Sequence, residues 1–302
     1  MSDIIYWCGD ITYAHERRQS FEQLLQKVTC EKFQPTSTSR ATTLEELKKA
    51  KADLLIMDNV TLDRFNRKEL ATCARSVLEL DCSPNHEVLP DNYDCFSTFA
   101  LSPFASDRPF GWDFFLAPIH LDVPSTSHHP KVVVHFGDED RHNLSYRVLR
   151  HLVQLAIPLE VVVCLTPDYK GDITSLKLLA LGKSSATVKE VKHPYAEIAS
   201  STIVIGDGSY GAFISAYLKK AYIALSQTDA EFDQMLELEM YGISHLGLGR
   251  KVKQSHLQNA LMELYLHPKK AQKQVELQER WKEKRSGEDF VTFATRRLSV
   301  LQ

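Results

Sequence analysis

Ile203-Val204-Ile205-Gly206-Asp207-Gly208-Ser209-Tyr210-Gly211 is the stretch on which the reading of this chain turns. An apolar run without a polar break is what a strand buried on both faces of a parallel sheet looks like, and here it ends in a glycine-bearing turn. Ser209 is placed to cap a following helix, which the pattern carries from Tyr210 to Lys219. Glycines let the backbone approach an anion closely, and the first N–H groups of a helix point at it. Two readings of Asp207, Gly208 and Ser209 stay open on pattern alone: a phosphate-binding loop, and a tight connection between strand and helix. Asp207 weighs against the first, because it sets a negative charge beside the phosphates.

The same grammar extends on both sides of this stretch. Val132–Phe136, Leu159–Cys164, Ala186–Val191 and Tyr222–Leu225 read as strands, with helices over 143–155, 230–241 and 255–266. Continuous apolar strands alternating with amphipathic helices predict a doubly wound parallel sheet. Nearer the start, Ile4–Cys8, Ala52–Met57 and Ser76–Leu80 read as strands, and helices are expected over 16–28 and 63–74. The string Pro124-Ser125-Thr126-Ser127-His128-His129-Pro130 has little to bury and reads as a linker. The expected organisation is an α/β chain of two Rossmann-like domains: 1–124, a linker at 125–130, and 131–285, with residues 286–302 forming a terminal helix.

The bulk numbers agree with an ordinary globular chain: 302 residues, 43% hydrophobic and 25% charged. A formal net charge of −3 gives no global basic field to hold nucleic acid. No apolar run reaches the ~20 residues of a membrane-spanning helix. The segment Met1–Trp7 lacks the basic start of a signal peptide. The six cysteines are scattered without a CxxC pair, which points to reduced thiols and a cytoplasmic protein.

Three further loops sit where open α/β sheets place ligands. Gly137-Asp138-Glu139-Asp140 with Asn143 follows a strand, and its acids fit capping better than metal binding. Thr228–Gln234 opens a helix that presents carboxylates and amides, among them Asp233 and Gln234. His15, beyond the first strand, is the one residue of its loop suited to take a proton near neutral pH, although on these residues alone an exposed histidine at a helix start is the favoured reading. The basic segment His267–Arg285 carries Val275, Leu277 and Trp281 as a thin apolar stripe. Its interspersed glutamates favour a solvated helix packed on one side over a helix that binds an anionic surface.

Taken in order, these loops resemble those of the nucleotide-sugar hydrolases of pseudaminic acid biosynthesis (PseG-like), relatives of the GT-B glycosyltransferases such as MurG. Thr12-Tyr13-Ala14-His15-Glu16-Arg17-Arg18 is similar to the family's Gly-x-Gly-His-x-x-Arg loop, with both glycines replaced. Asp58 matches the acid that ends its mid-domain strand. Gly137 and Asn143 match its second-domain opening, Asp207-Gly208-Ser209 its Gly-Gly-Ser loop, and Asp233-Gln234 its Asp-Asn-Gln. The resemblance implies two domains facing across a cleft, with the last helix crossing back to the first. It implies a nucleoside diphosphate, UDP above all, held by Gly137, Asn143, Asp207, Gly208 and Ser209, and a sugar met by Asp58, Asp233 and Gln234. His15, aided by Arg18, would activate water for attack at the anomeric carbon, with no metal or other cofactor. The lost glycines keep two alternatives open: transfer of the sugar to an acceptor, and binding without catalysis.

Overall fold

Val132–Val134 and Val161–Val163 are wholly buried, as strands covered by helices on both faces must be. The computed structural model describes residues 5–8, 12–25, 30–32, 40–58, 66–80, 89–96, 112, 115–116, 130–137, 139–208, 210–283 and 289–300. The chain divides into two units, one of residues 1–119 with 284–302 and the other of residues 120–283. Apart from Pro130, the string read as a linker lies outside the described residues.

In the first unit β1 (Ile5–Cys8), β2 (Cys30–Lys32), β3 (Ala52–Asp58), β4 (Ala74–Leu80) and β5 (Tyr93–Phe96) form a parallel sheet in the order β2-β1-β3-β4-β5. On one face Ile5, Trp7, Ile56 and Leu78 pack with Phe21 of α1 (Thr12–Leu25) and with Phe290, Phe293, Ala294 and Leu298 of α11 (Phe290–Val300). The rings of Trp7 and Phe290 lie 6.4 Å apart, edge to face. On the other face Leu55, Met57 and Val77 meet Leu44 and Leu47 of α2 (Arg40–Ala50) and Leu70 of α3 (Arg67–Leu70). There a buried Glu79 takes both guanidinium contacts of Arg67, at 2.9 and 3.3 Å, and accepts from the Tyr93 hydroxyl at 3.0 Å. Cys73 and Cys164 are free thiols.

The second unit carries β6 (Lys131–His135), β7 (Glu160–Leu165), β8 (Ala186–Glu190), β9 (Ile203–Gly206), β10 (Ala221–Ser226) and β11 (Ile243–Leu248). All pairs are parallel, in the order β11-β10-β9-β6-β7-β8. One face is covered by α4 (Leu144–Leu152), α5 (Ile173–Ala180) and α9 (Gln254–Leu266), whose Val148, Leu149, Leu176, Leu257 and Leu261 pack on Val132, Val134, Val161 and Ile205. On the other, α7 (Tyr210–Tyr217) and α10 (Pro268–Glu283) meet β10, and Trp281 packs its ring 4.6 Å from that of Phe213. The basic helix is α10. Trp281 of the expected stripe is buried together with Gln278, and Val275 and Leu277 are partly buried, as are Ala271 and Gln274. Lys269, Lys273 and Arg280 face outward beside Glu276 and Glu283. No helix among the described residues is long and apolar enough to cross a membrane.

Candidate functional site

Strand order locates the site. From β6 the chain winds outward to β7 and β8, returns past its start to β9, and continues to β10 and β11. The direction reverses between β6 and β9, so the loops after these two neighbours depart to helices on opposite faces. Such a switch point is where open α/β sheets leave a crevice at the carboxyl ends of their strands. The loop after β6 holds Gly137; the loop after β9 holds Asp207 and Gly208. They lie side by side: a Cβ on Gly137 would stand 4.0 Å from Asp207 Oδ2.

Two glycines of the β9 loop are there because something else fills the space of their side chains. A Cβ on Gly206 would lie 2.4 Å from the Tyr222 hydroxyl and 2.7 Å from the His135 carbonyl. Tyr222 passes over that position to donate to the Asp207 carbonyl at 2.8 Å. A Cβ on Gly208 would lie 2.8 Å from Met235 Cγ and 3.1 Å from Glu231 Cβ, both on α8 (Asp229–Leu238). The turn is therefore pressed against α8.

A polar cluster joins these parts. The Gln227 amide donates to the Phe136 carbonyl at 3.1 Å and to Asp207 Oδ2 at 2.9 Å, and its oxygen accepts from the Arg141 N–H at 2.8 Å. One side chain from the end of β10 thus ties both switch-point loops together. Thr228 caps α8, its hydroxyl accepting from the Glu231 N–H at 3.1 Å. In a capping box the glutamate would reach back to the N-cap N–H. Here Glu231 Oε2 accepts instead from the Gln227 N–H at 2.8 Å and from the Gly208 N–H at 3.3 Å. A carboxylate of the protein itself therefore stands at the start of α7, where the helix dipole and open N–H groups favour negative charge. Burial first, and then the charge of Asp207, push the Glu231 carboxyl up to about 7, against the opposing pull of the two N–H groups and Arg141.

The acidic run after β6 does structural work at the neighbouring helix. Asp140 is buried, and its carboxylate accepts from the N–H groups of Leu144 at 2.5 Å and Ser145 at 3.0 Å. The Tyr169 hydroxyl donates to it at 3.1 Å. Asp140 rather than Asn143 caps α4: Asn143 is exposed, in the left-handed region at φ 53°, and its side chain makes no cap bond. Glu139 pairs with Arg141 at 2.6 Å on the surface. Asp138 lies outside the described residues, and among those described no group of three His, Cys, Asp or Glu side chains could hold a metal ion.

The remaining sequence candidates fall in several places. Asp233 is exposed on α8, and nothing is described of the Gln234 side chain or of Ser209. In the first unit Asp58 has no exposed surface; Arg17 approaches its Oδ1 at 3.3 Å and the Trp7 indole N–H donates to its Oδ2 at 3.3 Å. Arg18 pairs with Glu22 one helical turn on, at 3.0 Å. His15 falls in the first turn of α1, with its side chain outside the described residues. The structure thus gathers Gly137, Asp207 and Gly208 in the second unit, and adds Gln227, Glu231 and Tyr222. The spacing Thr228-x-x-Glu231 was a readable capping signal; nothing local marked Gln227.

No protein-family model matches this chain, and no curated protein matches its sequence. Solved structures do match its fold. The spinosyn rhamnosyltransferase SpnG aligns with a TM-score of 0.67 at 12% identity, over 98% of this chain and 100% of that one. The glycosyltransferase SnogD from Streptomyces nogalater aligns with a TM-score of 0.65 at 13% identity, over 100% of both chains. MnaA of S. aureus in a co-structure with UDP aligns with a TM-score of 0.59 at 12% identity, over 91% of each chain. The chain has the two-domain Rossmann-like architecture of the GT-B glycosyltransferases.

Proposed function

We propose that this protein is an enzyme of nucleotide-sugar chemistry, a glycosyltransferase that binds the nucleoside diphosphate of its donor in the second unit. The observation that carries the reading is the meeting of the Gly137 and Gly206–Gly208 loops at the β6/β9 switch point, beside the start of α7. A leaving diphosphate there would find backbone N–H groups and the positive end of a helix, which stabilise charge as the anomeric bond breaks. Transfer is favoured over hydrolysis because fold likenesses such as SnogD and SpnG are named for transfer. UDP is the nucleotide we favour, as the one bound in the MnaA co-structure.

In this reading His15 takes the proton of the attacking hydroxyl, from an acceptor in transfer or from water in hydrolysis. Asp233 and Gln234 remain our candidates for the sugar, and Asn143 and Ser209 for the nucleotide. Asp58 we assign to holding Arg17, in keeping with its complete burial. Arg18, partly buried and paired with Glu22, we assign to bracing α1. We place the protein in a reducing cytoplasm, on the strength of its scattered thiols.

A second reading, a nucleotide-sugar-binding protein without turnover, draws on two observations. Glu231 sits on the Gly208 N–H, and Tyr13 and Ala14 precede His15 at the start of α1 where the resembling family has glycine. Incubation with UDP-, dTDP-, GDP- and CMP-sugars, with and without acceptors, separates the outcomes. Release of nucleotide that depends on an acceptor supports transfer. Free sugar without any acceptor means hydrolysis, and binding without release means the second reading.

A further inference from the structure

We propose that Glu231 is an internal gate on the nucleotide site, its carboxylate holding the place of the phosphates until it takes up a proton and lets go. This deepens the proposed function and rests on the nucleotide being held at the β6/β9 switch point.

The geometry has three parts. First, Glu231 Oε2 holds the Gly208 N–H at 3.3 Å and the Gln227 N–H at 2.8 Å, one from the loop that opens α7 and one from the end of β10. These are donors of the kind an anionic oxygen takes at a helix start. Second, the contact is close and leaves no gap to share. The missing side chain of Gly208 is what admits Glu231 Cβ at 3.1 Å and the Glu231 carbonyl at 3.3 Å from where its Cβ would be. A diphosphate at the Gly208 N–H and an ionised Glu231 would place like charges a few ångströms apart in a half-buried site, which is strongly unfavourable. Third, the groups around Glu231 are arranged to release it. Burial and Asp207, on the neighbouring loop, disfavour its charge; Arg141, across the crevice, favours it but has Glu139 as its own partner. The Thr228 hydroxyl is engaged with the Glu231 backbone N–H and leaves the carboxyl alone.

With its carboxyl raised to about 7, Glu231 changes charge across the range in which cells work. Binding then proceeds with uptake of one proton: Glu231 becomes neutral, gives up the two N–H groups, and the diphosphate takes them. A site competent only when Glu231 is protonated loses affinity in proportion to the ionised fraction. For a carboxyl near 7, that is roughly a thirtyfold weakening between about pH 6 and about pH 8.5.

The test is calorimetric titration of the full chain with UDP-N-acetylglucosamine, whose diphosphate diester carries no proton that titrates in this range. The wild type should weaken roughly thirtyfold from about pH 6 to about pH 8.5, taking up about one proton on binding at the upper end, while Glu231→Gln stays flat and tight throughout. Asp207→Asn supplies an independent arm. Removing the charge that raises Glu231 keeps Glu231 ionised to lower pH, so the pH at which binding begins to weaken should move downward, whatever the loss of Asp207's own charge does to the affinity. Wild-type affinity that is flat with pH, or an Asp207→Asn protein that weakens over the same pH range as the wild type, overturns the gate while leaving the nucleotide site standing. Failure of both wild type and Glu231→Gln to bind any of the UDP-, dTDP-, GDP- or CMP-sugars at any pH overturns the nucleotide reading, and the gate with it.

Discussion

At the carboxyl edge of the first sheet, Asp58 is met by the guanidinium of Arg17 and the indole N–H of Trp7. At the carboxyl edge of the second, Glu231 is held by two backbone N–H groups and faces another acid, Asp207. Both acids are drawn inward, yet their surroundings ask different things of them. A carboxylate against a buried guanidinium is fixed in charge and in place, because separating the pair strands an ion in a low dielectric. A carboxyl beside another carboxyl, held only by N–H groups, can lose its charge and its bonds at moderate cost. The first arrangement builds a domain. The second leaves a site adjustable, and it is at the second that the switch-point loops meet.

This contrast can be broken from either side, and the largest effect is expected in the first unit. Arg17→Met removes the cation beside the wholly buried Asp58 carboxylate and should cost about 3–5 kcal/mol of that unit's stability, read from urea denaturation. An unchanged midpoint would mean that the ion pair is not what holds Asp58. Next in size is Gly206→Ala in the second unit. Its Cβ meets the Tyr222 hydroxyl at 2.4 Å and the His135 carbonyl at 2.7 Å, and the latter is backbone that cannot swing aside. Overpacking of this kind costs about 1–3 kcal/mol; a neutral result would show that the sheet can shift to admit it. Asp140→Ala removes the cap from α4 and should cost about 1 kcal/mol, whereas Asn143→Ala should cost less, since its side chain caps nothing. The reverse order would return the cap to Asn143.

The smallest effect is the most particular to the comparison. The folded state holds a proton on Glu231 up to about 7, while the unfolded chain releases it at the ordinary glutamate value near 4.3. The stability this group contributes is therefore full below the unfolded value and is lost as pH rises through the folded one. Denaturation midpoints of the wild type should fall relative to those of Glu231→Gln between about pH 4.5 and about pH 7.5. Two parallel curves would show that Glu231 ionises freely in the folded protein.

How much of this was legible in the sequence follows from how local each signal is. Val132–Val134, Val161–Val163 and Ile203–Ile205 announce themselves because a strand covered on both faces has no polar residue to break the run. The strands β5 and β11 do not, since Tyr93-Asp94-Cys95-Phe96 and Ile243-Ser244-His245-Leu246-Gly247-Leu248 mix polar residues into edge positions. The Gly206–Gly208 turn was visible for the same reason as the strand before it: its chemistry lies within a few consecutive residues. Gln227 was not, because its partners lie 91 and 20 residues away, at Phe136 and Asp207, and only the strand order brings them together. On α8 the sequence drew attention to Asp233, while Glu231 carries the contact. Two helical residues apart is about 200° of rotation, so the two acids point to nearly opposite sides.

The claim on which the rest depends is that a nucleoside diphosphate sits between the loops after β6 and β9. Backbone hydrogen exchange with and without saturating UDP-sugar at about pH 6, where Glu231 is mostly protonated, tests it most directly. Slowed exchange at Gly137, Arg141 and Gly208, and in the first turn of α7, is the result predicted. Protection confined to other parts of the chain, with these amides unchanged by a ligand that demonstrably binds, would contradict it.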